Sequence, residues 1–193
     1  LDLSQLQALG AVVVGPDKRS NFAGQDLSIA LKAGSVTAAD VSADSLDVAV
    51  RIKDDTLDVD RFLMTGLEDA SISGTAKLTG FPAKLNGTAD ASILSPDAAP
   101  MFALLGEKFP QAAFLSTLSD RALLYPGLYA DTKIDLFGSL SGETSAPETS
   151  VSYSASLGNG VYSGTATLKG GFADIASTQI KATLDGKHED ALA

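Results

Sequence analysis

A single histidine, His188, lies in a polar stretch between Lys187 and Glu189. A catalytic imidazole is held by packing and by a partner on its second nitrogen, and a solvated tail offers neither. Cysteine is absent, which removes disulfides, thiolate metal sites and thiol nucleophiles. Carboxylates are plentiful: Asp54, Asp55, Asp58, Asp60, Glu68 and Asp69. Asp58 and Asp60 fall on one side of a strand and, with the Asp54-Asp55 turn, could offer oxygen ligands to calcium. Their spacing matches no EF-hand, and a wet strand edge with a polar turn is the simpler reading. A glycosidase needs two facing carboxylates, and aromatic sugar platforms are scarce in a chain that is 6% aromatic with no Trp. Gly158-Asn159-Gly160 joins two alternating segments, whereas a phosphate cradle opens a helix; it reads as a hairpin turn. No catalytic residue, metal site or cofactor is expected, and the chain is read as non-enzymatic.

The 193 residues suffice for one ordinary domain with a real core, and 45% of them are hydrophobic, mainly Ala, Leu and Val. A net charge of −10 and a pI near 4.4 disfavour nucleic acid and anionic headgroups as partners. Contact with lipid, if made, is expected through acyl chains. No run approaches the roughly 18–20 apolar residues that span a bilayer.

Two-residue alternation dominates the chain and predicts half-buried strands. In Asp26–Ala33, Leu27, Ile29 and Leu31 share a face. In Ser45–Lys53, Leu46, Val48, Val50 and Ile52 do so, and Asp54-Asp55 turns the chain into Thr56–Phe62. Ala70–Thr79 and Lys84–Leu94 follow. The period then changes. Ser95 as N-cap, Pro96 as first helical residue and Asp97 in the first turn predict a helix carrying Ala98, Met101, Phe102 and Leu105 and ending at Gly106. A second helix is predicted over about Phe114–Leu124. Strands resume at Thr132–Leu140, Thr149–Leu157, Val161–Leu168 and about Ser177–Leu184, before a polar, frayed tail, Asp185–Ala193.

The segment Ser73-Gly74-Thr75-Ala76-Lys77-Leu78-Thr79-Gly80 returns 90 residues later as Ser163-Gly164-Thr165-Ala166-Thr167-Leu168-Lys169-Gly170, with six of eight positions identical. Leu3–Gly10 echoes the helix ending Ala103-Leu104-Leu105-Gly106. The expected organisation is a single β-rich domain over 1–193, a fragment of a longer protein. Its repeat units, about 26–94 and 128–185, are joined by the helical segment 95–127. A repeated supersecondary unit implies a sheet that grows by addition.

The stretch Leu57-Asp58-Val59-Asp60-Arg61-Phe62, then Leu67-Glu68-Asp69-Ala70-Ser71-Ile72-Ser73-Gly74-Thr75-Ala76-Lys77-Leu78-Thr79-Gly80, then the Ser95-Pro96-Asp97 helix, resembles the AsmA family of Gram-negative bacteria. Asp131-Thr132-Lys133-Ile134-Asp135-Leu136 looks like the opening strand of a further unit. The resemblance covers most of Asp26–Leu184 and rests on periodicity and small residues, with no invariant chemical group. It implies a periplasmic protein tethered to the inner membrane by a segment outside this chain. It also implies a long β-groove whose apolar interior carries lipid between membranes or serves outer-membrane biogenesis.

The expected fold is therefore mainly β. It is an antiparallel, elongated, curved sheet or half-pipe of about eight to ten strands built from repeated strand groups, with two or three short covering helices. The lipid-facing candidates are Leu46, Val48, Val50, Leu57, Val59, Ile72, Leu78, Leu85 and Ile93, with Ile134, Leu136 and Val151 in the second unit. The expected partners are lipid acyl chains and other segments of the same longer protein. The alternative is a structural or protein-interaction β-module of the envelope, with a filled core and edges that pair with neighbours.

Overall fold

Alternating segments of this kind form a sheet when each strand pairs with the next, and here nearly all of them do. The computed structural model describes residues 26–38, 41–80, 84–108, 113–125, 127–143, 148–158, 160–169 and 179–187. The strands are β1 (Asp26–Ala33), β2 (Val36–Ala38), β3 (Val41–Ala43), β4 (Ser45–Lys53), β5 (Thr56–Leu67), β6 (Ala70–Thr79), β7 (Lys84–Asp97), β8 (Ala130–Glu143), β9 (Glu148–Leu157), β10 (Gly160–Lys169) and β11 (Gln179–Lys187). Two helices, α1 (Ala99–Lys108) and α2 (Ala113–Leu124), lie between β7 and β8. Nine strands form one sheet in the order β1-β4-β5-β6-β7-β8-β9-β10-β11, every pairing antiparallel and the sheet not closed into a barrel. β2 and β3 form a separate small hairpin that buries Val36 and Ala43.

Short turns impose this meander. Asp54 takes φ +53° between Lys53 and its partner Thr56. Glu68 and Asp69 take φ +49° and +61° between the paired Leu67 and Ala70. Left-handed backbone at both central residues is the type I′ geometry whose twist matches that of the strands. The alternation breaks twice in β5: Val59 is followed on its face by Phe62, and Met64 by Leu67, each three positions on rather than two. A β-bulge absorbs the first extra residue. Asp60 and Arg61 together oppose Thr75, so Val59 still faces Ala76 and Phe62 faces Gly74. The sequence reading stopped this strand at Phe62; with the bulge it runs on to Leu67.

The strand after the first hairpin pair also runs further than its alternation indicates. β7 passes through Ser95, paired with Thr132, and Asp97, paired with Ala130. The helix therefore does not start on a Ser95 cap. Asp97 is the cap: its Oδ1 accepts from the Ala99 N–H at 3.0 Å. Pro100 still falls in the first turn, where its missing N–H costs nothing. α1 passes Gly106 and ends at Lys108, a cation at the negative end of the helix dipole.

The two matching segments, in β6 and β10, share one local feature. Gly74 of β6 lies opposite Phe62, and Gly164 of β10 lies opposite Tyr153. In each copy an aromatic ring stands across from a strand glycine, on the same face of the sheet. The strands before and after the helical segment meet directly, because β7 and β8 pair along their length and the helices sit at the end of that pair. Leu3–Gly10 lies outside the described residues. Of the tail Asp185–Ala193, expected to be frayed, Asp185–Lys187 belong to β11 and residues 188–193 lie outside the described residues.

The tight core lies at the helical end. Ala70, Ala98, Met101, Phe102 and Tyr129 are buried together, and Ile93, Ile134, Leu118, Ala122, Leu128 and Leu157 pack around them. The rings of Phe102 and Tyr129 meet edge to face at 4.9 Å. Tyr129 ties the layers together. Its hydroxyl donates to the Leu118 carbonyl of α2 (3.1 Å), and its own carbonyl accepts from the Ala98 N–H (3.0 Å) and the Thr132 hydroxyl (2.7 Å).

Candidate functional site

Antiparallel register carries a side-chain parity across a sheet: residues in direct opposition point to the same face. Following the pairs from β1 to β9 places every lipid-facing candidate on one side. Leu46, Val48 and Val50 of β4 lie level with Met64, Phe62 and Val59 of β5. These lie level with Ile72, Gly74 and Ala76 of β6, and Leu57 with Leu78. Ile93 continues to Ile134, and Ala91 to Leu136. Gly138 continues to Val151. Leu85 occupies the same parity, opposite Gly142; its side chain lies outside the described residues.

The face is organised in cross-strand rows. One is bulky: Leu46, Met64, Ile72, Ile93, Ile134. Another is bulky toward the opposite strand ends: Leu27, Ile52, Leu57, Leu78. Between them, over β6 to β8, the rows contain Gly74 and Ala91, then Ala76, Ala89 and Gly138. The bulky rows stand roughly 20 Å apart, six residues along a strand at about 3.3 Å each. The small-residue furrow therefore runs across the strands, along the sheet's direction of growth. An open depression of about 510 Å³ lies on the other side of the sheet: the polar-face residues Asp60, Arg61, Leu63, Ser73, Thr75, Asp90, Ser92 and Asp135 line it over the row Phe62–Gly74–Ala91–Leu136.

Glycine is required here, not merely small. A Cβ on Gly74 would stand 2.7 Å from the Asp90 carbonyl oxygen, and one on Gly87 would stand 2.8 Å from Leu78 Cα. Side chains at those positions would push β6 and β7 apart.

Burial separates this face from the core. Leu46, Val48, Val50, Leu57, Val59, Ile72, Leu78, Ile93, Ile134, Leu136 and Val151 are each only half-buried. Ile52 is fully buried at 1% exposure, and Ile29 is 38% exposed. Neighbours on the same face shield each side chain from the flanks. Among the described residues, the helices cover the face only at its Ile93–Ile134 end.

The opposite face is polar. On β1, β4 and β5 it carries ion pairs: Asp47 sits between Lys32 (3.3 Å) and Arg61 (2.9 Å), and Lys53 meets Asp26 (3.3 Å). Further along, hydroxyls replace charges in the row Ser73–Ser92–Asp135–Ser154–Ser163. The Ser92 hydroxyl donates to Asp135 at 2.9 Å, and Lys133 approaches it at 3.1 Å; both hold the carboxyl below its usual range. Charges and most hydroxyls are thus turned to this face by parity, and Leu94, Phe137 and Val161, at 50%, 46% and 57% exposure, stand among them.

The carboxylates singled out for chemistry are used otherwise. Arg51 reaches both Asp58 (3.8 Å) and Asp60 (2.8 Å), so a guanidinium occupies the position a cation would take. Asp54, Glu68 and Asp69 form hairpin turns with positive φ. Among the described residues no three His, Cys, Asp or Glu side chains are grouped to hold a metal. Gly158 joins β9 to β10 with φ +54°. His188 lies outside the described residues.

Sequence reasoning left Phe62, Met64 and Tyr153 out of the face. Phe62 and Met64 were hidden by the bulge, which reverses the apparent parity after Val59. Tyr153 alternates correctly within Val151–Leu157 and was legible as part of it.

Comparison with protein-family models, with curated proteins and with solved structures found no match. No described helix is long and apolar enough to cross a membrane.

Proposed function

We propose that this chain is a non-enzymatic domain of an AsmA-like envelope protein, and that the aliphatic face of its sheet carries lipid acyl chains in lipid transport or outer-membrane biogenesis. One observation supports this reading above the others: a continuous aliphatic face crosses the sheet, and its side chains are only partly covered. A folded chain normally removes such a surface from water, at about 25 cal/mol per Å², and a contiguous apolar surface left partly open is the kind that binds a partner. Acyl chains satisfy the same term without requiring directional partners. The furrow between the bulky rows gives a chain somewhere to lie, across β6, β7 and β8. On this reading the protein works in the periplasm, tethered to the inner membrane by another segment of a longer polypeptide.

Extraction of the purified protein with organic solvent, followed by mass spectrometry, tests it. Co-purifying lipid well above that of a filled-core control of equal size is the expected result, and retention equal to the control would overturn it. The second reading is a structural module that pairs through its edges. It is favoured by the openness of the sheet, in which, among the described residues, β1 and β11 each have a strand on one side only. It predicts self-association or peptide capture by β1 or β11, with no lipid retained.

A further inference from the structure

Among the described residues the two most exposed large apolar side chains stand together where α2 ends, with Tyr125 beside them. Leu123 is 81% exposed, Leu124 71% and Tyr125 54%. The packing stripe of this helix is already satisfied, since Leu118 and Ala122 lie against the core cluster. The next three residues leave that stripe, and the chain returns to the core at Leu128. The tip between these anchors is ordered by its own backbone: the Tyr125 N–H donates to the Arg121 carbonyl (2.9 Å) and the Leu128 N–H to the Tyr125 carbonyl (3.1 Å). Gly127, at φ +84°, has nothing within 4 Å of where a Cβ would stand, so the turn projects into open space.

We propose that this Leu123-Leu124-Tyr125 tip dips into the interfacial layer of a phospholipid bilayer. Successive helical residues are spread around the axis by about 100° each, so no flat protein surface covers all three at once, whereas a fluid layer does. Two aliphatic side chains beside a tyrosine are the arrangement suited to a headgroup boundary, with the phenol at the wet level. The tip itself, Leu123-Leu124-Tyr125, carries no charge, and the exposed Arg121 is one turn away from it; the nearest carboxylates in sequence are Asp120 and Asp131. The inference is independent of what the sheet's aliphatic face carries.

The absence of Trp makes a clean reporter. In Leu124→Trp, added phosphatidylcholine vesicles should shift the indole emission to the blue, and brominated acyl chains should quench it. The double variant Leu123→Asp, Leu124→Asp should keep its circular dichroism, since both side chains are exposed, and lose roughly tenfold or more in vesicle co-sedimentation, two exposed leucines being worth at least that factor. Unchanged emission, or equal sedimentation of parent and double variant, overturns the proposal. So does a concentration-dependent dimer that the double variant abolishes, which would assign the tip to a second copy. Lipid extraction with solvent reads the sheet separately, so either result can fail while the other holds.

Discussion

The helical end and the middle of the sheet are built from the same alternating sequence, yet they bury it differently. At the end, Met101 is 1% exposed, and Ala70 and Ala98 are fully enclosed. In the middle, Val48, Ile72 and Leu136 remain half-exposed. Strand propensity and parity are the same in both places. The difference among the described residues is a second layer: α1 and α2 pack at one end of the face, around Ala70, Ile93 and Ile134, held there by Tyr129. Alternation tells which side of a strand is apolar; whether anything covers that side depends on elements elsewhere in the chain.

If that contrast is right, substitutions at the two places must separate stability from binding. The largest effect is expected at the covered end. Met101→Ala should cost about 2–5 kcal/mol, the usual range for a buried aliphatic truncation, read as a fall in the urea midpoint with little change in slope. Tyr129 sharpens the same point through pH. Burial raises its phenol above the ordinary value, against a smaller opposing effect from Arg121. The neutral form is thus favoured by folding, so this contribution is complete below the unfolded pKa near 10 and lost as pH rises through the higher folded value. Alkaline titration of stability should steepen there, and Tyr129→Phe should flatten it while losing about 1 kcal/mol with the bond to Leu118.

On the open face the expected stability effect is smaller and the binding effect larger. Val48→Thr and Ile72→Thr keep β-branching and should each cost about 1 kcal/mol, roughly half of full aliphatic burial, while lowering recovered lipid several-fold. A loss as large as that of Met101→Ala, with lipid unchanged, would show that the face is a filled core. The smallest change concerns a turn. Glu68→Asn with Asp69→Gly places the residues preferred for left-handed backbone where φ is already positive and should stabilise by about 0.5–1 kcal/mol, visible as a higher melting temperature.

Much of the sheet was legible in the sequence. The limits of β1, β4 and β6 follow from alternation and turn residues alone, and the face shared by Leu46, Val48, Ile72 and Ile93 follows once neighbours pair in chain order. What was hidden has local causes. The bulge at Asp60-Arg61 breaks the two-residue period and cuts the reading of β5 short. Glu68-Asp69 makes a tight turn without glycine or asparagine. Ser95-Pro96-Asp97 has the composition of a helix start, yet pairing of Ser95 with Thr132 keeps it in the strand until Asp97 caps α1. β2 and β3 are too short for any period to register. That short helices would cover the sheet was legible from the change of period after Leu94; which rows they would cover was not, because no residue on a strand encodes what lies above it.

The most direct test is to let the protein report where acyl chains rest. A photoreactive fatty acid should be crosslinked to the folded chain and the adducts mapped by peptide mass spectrometry. Adducts concentrated on Phe62, Ile72, Ala91 and Leu136, and competed by unlabelled fatty acid, are the predicted result. Adducts scattered over both faces, or no more abundant than on a protein with a closed core, would contradict it.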